Sequence, residues 1–495
     1  MNSGETVRAY HEWTSNSTGP VQRRPPRPAD YTQLDPRREP ALFKRYPTAE
    51  PHHLPAASPL PGPIATDVLA GRVKPADTPL DATLLTQLLL LSVGVTRKTQ
   101  RNGRPVYRRP ASSAGNRHPL EAYVVAGEIN GLSAGLYHYA PDLGVLEQLL
   151  DGDHRGAVAA AADTTPAEAY VVLTGLPWRT AWKYAERGWR HLYWDAGTAL
   201  ANFLALAEAY GLPARLLFGF EDDALRTFLG VDGRTEIPLM IVALGSTTDL
   251  HISAAQPLPE PIEPRTKPIE FPLITVAQQA GVLPDVCSVG RWRSAFMGTP
   301  ATASPAALPA SAPGTSIEDL IERRITTRRM NPIAVPAELL TWSMHCATRP
   351  VPMDAVPTGH TLLTHYLSVH GVTGVASGTY SYQKSLLSSL QPLHETEARD
   401  QAARNCLNQP VAGEAAYTLF ASTDLDELLD TLGDRGYRMA QTEAGIVVGR
   451  LQLAAAALGF GASGLTFFDQ AVADMFATSR SAMLACAVGA RPSPV

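Results

Sequence analysis

Two stretches of this chain carry residue types suited to holding an anion and a flat ring. Arg324-Ile325-Thr326-Thr327-Arg328 sets two guanidiniums and a hydroxyl at the end of an amphipathic segment. Within one turn, such a set can hold a phosphate dianion by charge-assisted hydrogen bonds. The same residues also suit a solvated helix end, where arginine complements the C-terminal dipole. The second stretch, Arg109 to Pro119 (RPASSAGNRHP), precedes the strand-like EAYVVA. Its small residues, Gly115 among them, let backbone approach a ring face closely, and Ser113 and Asn116 offer hydrogen bonds to it. An ordinary polar loop favours the same composition. His118 is a candidate to line a site because of its loop, whereas His11 is a lone histidine for which a structural role serves as well.

The elements that position these residues come from a chain of 495 residues, 45% hydrophobic, enough for two or three domains. A net charge of −5 gives no bulk attraction to nucleic acid. Cys287, Cys346, Cys406 and Cys486 have no metal-type spacing, so no metal site is expected, and so few cysteines suit a reducing cytosol. The opening MNSGETVRAYHEW has no apolar core of a signal peptide, and the apolar run at Leu88–Val93 is too short for a bilayer. A cytoplasmic protein without a membrane partner is the expectation.

Residues 1–62 are rich in proline and arginine and read as an extended N-terminal arm. Helix and strand patterns alternate over 63–250. Residues 251–315 are punctuated by proline and read as a linker, mobile at 300–315. A second patterned region, 316–495, opens on SIEDLIERR with Ser316 as N-cap. The two patterned regions repeat each other. ERGWRHLYWDAG (186–197) matches DRGYRMAQTEAG (434–445) at an offset of 248. The same offset pairs Gly211 with Gly459, Phe220 with Phe468 and Phe228 with Phe476. GLYHYAPDL (135–143) matches GTYSYQKSL (378–386), in the same order along the chain. Each region should contain a long helix, apolar nearly all round and therefore central, followed by a strand–turn segment, ARLLFGFEDD or SGLTFFDQAV.

Together these stretches resemble the nitroreductase superfamily. In that family an R-x-[ST]-x-[RK] helix binds the phosphate of flavin mononucleotide (FMN), which here implies Arg324, Thr326 and Arg328. A P-S-S-x-N type loop from the other subunit contacts the isoalloxazine, implying Arg109, Ser113, Gly115 and Asn116, although Ser112 stands where the family has proline. LTFFD (465–469) implies that the backbone of Thr466 and Phe467 faces flavin N5, and Arg491 after Gly489 implies a further phosphate contact. The details are most similar to the SagB-type azoline dehydrogenases, through Tyr10-His11-Glu12, the Arg109–Pro119 stretch, GLYHY and WKYAERGWR. That likeness assigns catalysis to Lys183 and Tyr184. Azoline-to-azole conversion removes a Cα proton and a hydride, so it needs a base beside the flavin, and a desolvated lysine has its pKa lowered toward neutrality. Either Lys183 or Tyr184 could be that base.

The expected fold is therefore α+β, two tandem nitroreductase-like domains forming an intramolecular pseudo-dimer, for which a monomer suffices. The copies differ. At offset 248, Lys183 and Tyr184 face Thr431 and Leu432. The first half lacks the phosphate helix, and RPVPMDAVPTGHT (349–361) is a poor counterpart of the ring loop. The losses are complementary, which implies one complete FMN site per chain, between the halves, and a second that is empty or vestigial. The implied activity is FMN-dependent oxidation of peptide azolines, with the modified precursor peptide and the cyclodehydratase as partners. An NAD(P)H-dependent nitro or quinone reductase or another small-molecule flavin oxidoreductase, and a non-catalytic docking pseudoenzyme of a synthetase complex, are the alternatives. Arg97, Lys98, Arg101, Arg104, Arg108 and Arg109 form a basic stretch, either a solvated loop or a guide for an acidic leader.

Overall fold

The computed structural model describes residues 4–17, 25–55, 62–73, 78–101, 103–245, 253, 256–264, 266–296, 314–383 and 385–492. The linker expected at 300–315 lies almost wholly outside these. Each half has an antiparallel sheet. In the first, the strand order is Glu50–His53, Val145–Asp151, Gly135–Ala140, Leu120–Ala126, Ala169–Gly175, Ile237–Leu244, Ala214–Leu217. In the second it is Leu386–Pro392, Gly378–Gln383, Thr364–Val369, Tyr417–Thr423, Ser481–Gly489, Gly461–Leu465. The orders coincide except that the first sheet gains the edge strand Glu50–His53 from the arm. Leu120–Ala126 and Tyr417–Thr423 are buried throughout, as strands covered on both faces must be.

The central helices are Gly188–Ala209 and Leu425–Ala457. Every residue of the first except Glu208 is buried, which is why its sequence is apolar on nearly all sides. The two helices cross at equivalent glycines: a Cβ built on Gly197 would lie 2.6 Å from Gly445 Cα. Equivalent aromatics also meet. Trp189 and Tyr437 stack 5.7 Å apart with an 8° interplanar angle, a contact worth about 0.5–1.5 kcal/mol beyond its burial. Arginines cross between the halves in the same way. Arg187 and Arg190 reach Asp469 at 3.0 and 2.9 Å, and their equivalents Arg435 and Arg438 reach Asp222 at 2.6 and 3.6 Å. The halves are thus related by a pseudo-twofold axis and share one core.

Three segments differ from the sequence expectation. The arm is helical over Glu5–Thr14 because Val7, Tyr10, His11 and Thr14 give it a buried face. His11 there is structural: its Nδ1 meets the Tyr437 hydroxyl at 3.0 Å, and its carbonyl accepts from Arg190 at 2.6 Å. The proline-rich stretch contains two helices, Pro272–Ala280 and Val286–Arg293, the second capped by the Asp285 side chain. Gln278 of the first answers His11 across the axis, accepting from Trp189 Nε1 at 2.9 Å. The basic stretch is a hairpin, Arg97–Arg101 paired with Arg104–Arg108. Among the described residues no helix is long and apolar enough to cross a membrane.

Candidate active site between the two halves

A cavity of about 360 Å³ opens where the ring loop of the first half meets the second half. Of the residues expected from sequence, Ser113, Gly115, Lys183, Tyr184, Thr326, Arg328 and Thr466 line it. The loop and the Arg324–Arg328 segment touch directly. Ser112 Oγ lies 3.5 Å from Thr326 Oγ1 and donates to Gln452 Oε1 at 2.6 Å. Arg324 donates to the same Gln452 oxygen at 3.2 Å and to the Pro110 carbonyl. The helix Ile317–Arg323 ends before this segment, with Ser316 capping its start as expected and Arg324 as its C-cap. The two guanidiniums therefore do different work. Arg324 is buried and binds the two halves together, with burial lowering its pKa to about 10, while Arg328 is exposed on the cavity wall.

Lys183 and Tyr184 end the helix Pro177–Tyr184. The N-terminal arm clamps this helix end: Gln33 Nε2 donates to the Lys183 carbonyl at 2.6 Å, and Leu34 N to the Trp182 carbonyl at 3.0 Å. Gly115, at φ +60°, packs against the pair. A Cβ on it would lie 2.6 Å from the Tyr184 hydroxyl and 2.8 Å from Lys183 Nζ. Ala185, just after the pair, adopts φ 49°, ψ −137°, a region almost reserved for glycine. Burial, then Arg117 and Arg328, lower the Lys183 pKa from its ordinary value, since each disfavours the ammonium. Burial and the Asp195 carboxyl push the Tyr184 phenol up to about 12.

The central helix presents His191, Trp194, Asp195 and Thr198 to the cavity, spaced as one helical face. Asp195 anchors the ring loop by accepting from Ser113 Oγ and, at 3.0 Å, from Ala114 N. Burial raises its carboxyl to about 7 against these hydrogen bonds. His191 stacks on Tyr184, with centroids 4.0 Å apart. These four residues escaped selection from sequence as site residues. The available signal was an acid, Asp195, inside an otherwise apolar helix.

Other expected residues lie off this wall. Arg109 donates to the Val93 carbonyl at 2.9 Å and lies 5.4 Å from the Phe43 ring centroid. Asn116 is exposed and meets His118 Nε2 at 3.0 Å. His118 lines a small adjoining cleft with Arg109, Ser113 and Asp195, its imidazole kept neutral by burial and then by Arg109. The Phe467 side chain is buried, beneath the Arg187 guanidinium at 5.6 Å. Arg491 is exposed and donates to the Phe460 carbonyl at 2.9 Å. Among the described residues no group of three or more metal-ligating side chains gathers.

The pseudo-symmetric cleft corrects the sequence reading of the second loop. Thr361 and Leu362, at offset 248 from Ser113 and Ala114, bond Glu443 as their counterparts bond Asp195: Thr361 Oγ1 at 2.5 Å and Leu362 N at 2.9 Å. The loop therefore persists in register, but Leu363 and Leu432 stand where Gly115 and Tyr184 stand in the first cleft. A cavity of about 130 Å³ there is lined by Phe296, Thr361–Thr364 and Thr431–Leu432 among others. Asp354 accepts from the backbone N–H groups of Phe218 and Gly219, the equivalents of Thr466 and Phe467, at 2.7 and 2.9 Å. Arg293 reaches the same carboxylate at 3.3 Å, and Trp292 packs over Gly219 while donating to the Leu432 carbonyl at 2.8 Å. Arg72, just after the helix Ala65–Ala70, pairs with Asp67.

The chain belongs to the nitroreductase family, whose pattern matches residues 76–246 and 321–490, one copy in each half. It is thereby an oxidoreductase of the nitroreductase type, a family that generally uses FMN. A nitroreductase-like protein of Methanocaldococcus jannaschii, MJ1384, is 30% identical over 34% of this chain and 82% of its own length. The Microcin B17-processing protein McbC of Escherichia coli is 24% identical over 29% of this chain, and the match spans 56% of McbC. A nitroreductase-like protein of Anabaena variabilis shares the fold of the whole chain, with TM-score 0.76, 23% identity and coverage of 98% of this chain and 99% of that one.

The cavity residues fit FMN. The volume falls in the usual range for cofactor sites. Small residues (Ser112, Ser113, Ala114, Gly115, Ser463, Gly464) allow close approach to a flat ring. No carboxylate among the described residues is paired with Arg328, which leaves its guanidinium available to an anion.

Proposed function

We propose that this chain is an FMN-dependent dehydrogenase that oxidises azoline rings in a modified peptide to azoles, acting beside the cyclodehydratase that makes those rings. The observation that carries this reading is the junction of Gly115 with Lys183 and Tyr184 at a cavity spanning both halves. The likeness to McbC supports the peptide substrate. Thr326 and Arg328 would hold the phosphate, and Ser113 and Gly115 the ring. Arg324 then serves by joining loop to segment, while Arg109 and Arg491 support the surrounding backbone through the Val93 and Phe460 carbonyls. Bound FMN supplies the two-electron, hydride-accepting ring that the oxidation needs.

The chain's own residues handle the proton. A lysine with a lowered pKa has a neutral fraction able to take the azoline Cα proton. Tyr184, held protonated, donates a hydrogen bond to the ring heteroatom. Packing of the arm on the helix Pro177–Tyr184 fixes both groups. In the test, a thiazoline peptide is incubated with wild type and with Lys183→Ala, and its loss of two hydrogens is followed by mass spectrometry. The variant should retain FMN and lose oxidation. Full activity in it would remove Lys183 from the chemistry.

A second reading, a nicotinamide-dependent nitro or quinone reductase, rests on the likeness to MJ1384. Rapid bleaching of bound flavin by NADPH would favour it over azoline oxidation.

A further inference from the structure

His191 is 2% exposed on the cavity wall, and among the described residues both its ring nitrogens lack a hydrogen-bond partner. Its ring lies nearly parallel to Tyr184, at 4.0 Å and 21°, and is tilted against Trp194 at 4.5 Å. Burial, then Arg187, Arg190 and Lys183, keep the imidazole neutral. A neutral imidazole carries one donor and one acceptor, and burying both unpaired is costly. Stacking alone does not require that cost, because a hydrocarbon ring would stack as well. The other half shows the alternative. At the positions of Tyr184 and His191 it has Leu432 and Met439, both buried and apolar. In that half the tyrosine–histidine stack is replaced by a leucine–methionine pair. The polarity of His191 therefore accompanies the cavity and not the fold.

We infer that His191 is a positioning residue of this site, whose ring sets the plane of Tyr184 and one of whose nitrogens hydrogen-bonds the heterocycle that fills the cavity. The inference rests on the proposed function in taking that heterocycle to be the flavin or the azoline ring. Two variants test it: His191→Phe, which keeps a ring for stacking, and His191→Met, which installs the residue of the second half at similar volume. Three quantities are read: the melting temperature of the FMN-free chain, the FMN Kd by flavin fluorescence, and kcat and KM for a thiazoline peptide.

At least one variant should melt at or above wild type, by up to about 3 °C, because an unpaired buried polar group has been removed. The same variant should show either FMN Kd or peptide KM raised about tenfold, equal to about 1.4 kcal/mol. A raised Kd identifies the flavin as partner, and a raised KM alone identifies the azoline. Unchanged Kd and KM in both variants overturn the inference. So does lost affinity that is accompanied in both by a lower melting temperature, since the histidine would then be structural. A wild type that binds FMN but leaves the azoline unchanged sinks the functional reading and leaves the Kd comparison readable.

Discussion

Beside Asp195, a glycine, a lysine and a tyrosine border a cavity of about 360 Å³; a leucine, a threonine and a leucine stand at the same three positions of the other half, where the cavity they line is about 130 Å³. Asp354 takes the backbone N–H groups of Phe218 and Gly219, the equivalents of Thr466 and Phe467, and Trp292 packs over Gly219. What both clefts keep is equally informative. The buried acid anchoring a loop and the crossed arginine–aspartate pairs occur twice, because they hold the halves together whatever the cleft contains. Scaffold and site have diverged separately within one chain, which is how function sits on a fold generally.

The largest expected contrast is in rate. Lys183→Ala should lower azoline oxidation by about 10²–10⁴-fold, the usual worth of a general base, whereas Thr431→Ala at the equivalent position should leave it unchanged in the same peptide assay. Next is the plug. Trp292→Ala should destabilise the chain by about 3–5 kcal/mol in urea unfolding, as deletion of a buried indole does, without adding a second equivalent of flavin.

The acids should sharpen the comparison through pH. Burial raises Asp195 and Glu443 to about 7 from ordinary values of 3.8 and 4.5. The folded chain then binds their protons more tightly than the unfolded chain does. The stability each contributes is complete below its unfolded pKa and is lost as pH rises through about 7. Stability should therefore fall between about pH 4 and 7. Asp195→Asn and Glu443→Gln should each flatten that slope by roughly 2–4 kcal/mol. Only the first should also slow oxidation, because only Asp195 anchors a loop that faces the cavity.

The smallest effect is backbone strain. Ala185 and Gly433 occupy equivalent turns with positive φ. Ala185→Gly should raise stability by about 1 kcal/mol, and Gly433→Ala should lower it by at least as much, both measured by thermal melting.

Much of this was legible in the sequence. The constant offset revealed the duplication, the central helices and the strand–turn segments, because periodic burial imposes itself on residue type. Lys183, Tyr184, Ser113, Gly115, Thr326, Arg328 and Thr466 were identifiable from local motifs. Arg324 was not separable from Arg328, since a motif does not say which guanidinium turns inward. The helix Glu5–Thr14 was obscured by the proline and arginine that follow it. Trp292 and Asp354 were invisible for a different reason. Val286–Arg293 lies outside the repeat register, and a segment filling a neighbour's cleft leaves no local periodic signal. His191 was visible only in the mismatch with Met439, which has meaning once the cleft is seen.

On the proposed function, one cleft holds FMN, while in its pseudo-symmetric partner Asp354 takes the equivalent backbone N–H groups and Trp292 packs over Gly219. The most direct measurement is the molar ratio of FMN to polypeptide in the purified, FMN-saturated protein, from flavin absorbance after denaturation and quantitative amino-acid analysis. A ratio near one is predicted; a ratio near two would contradict the account.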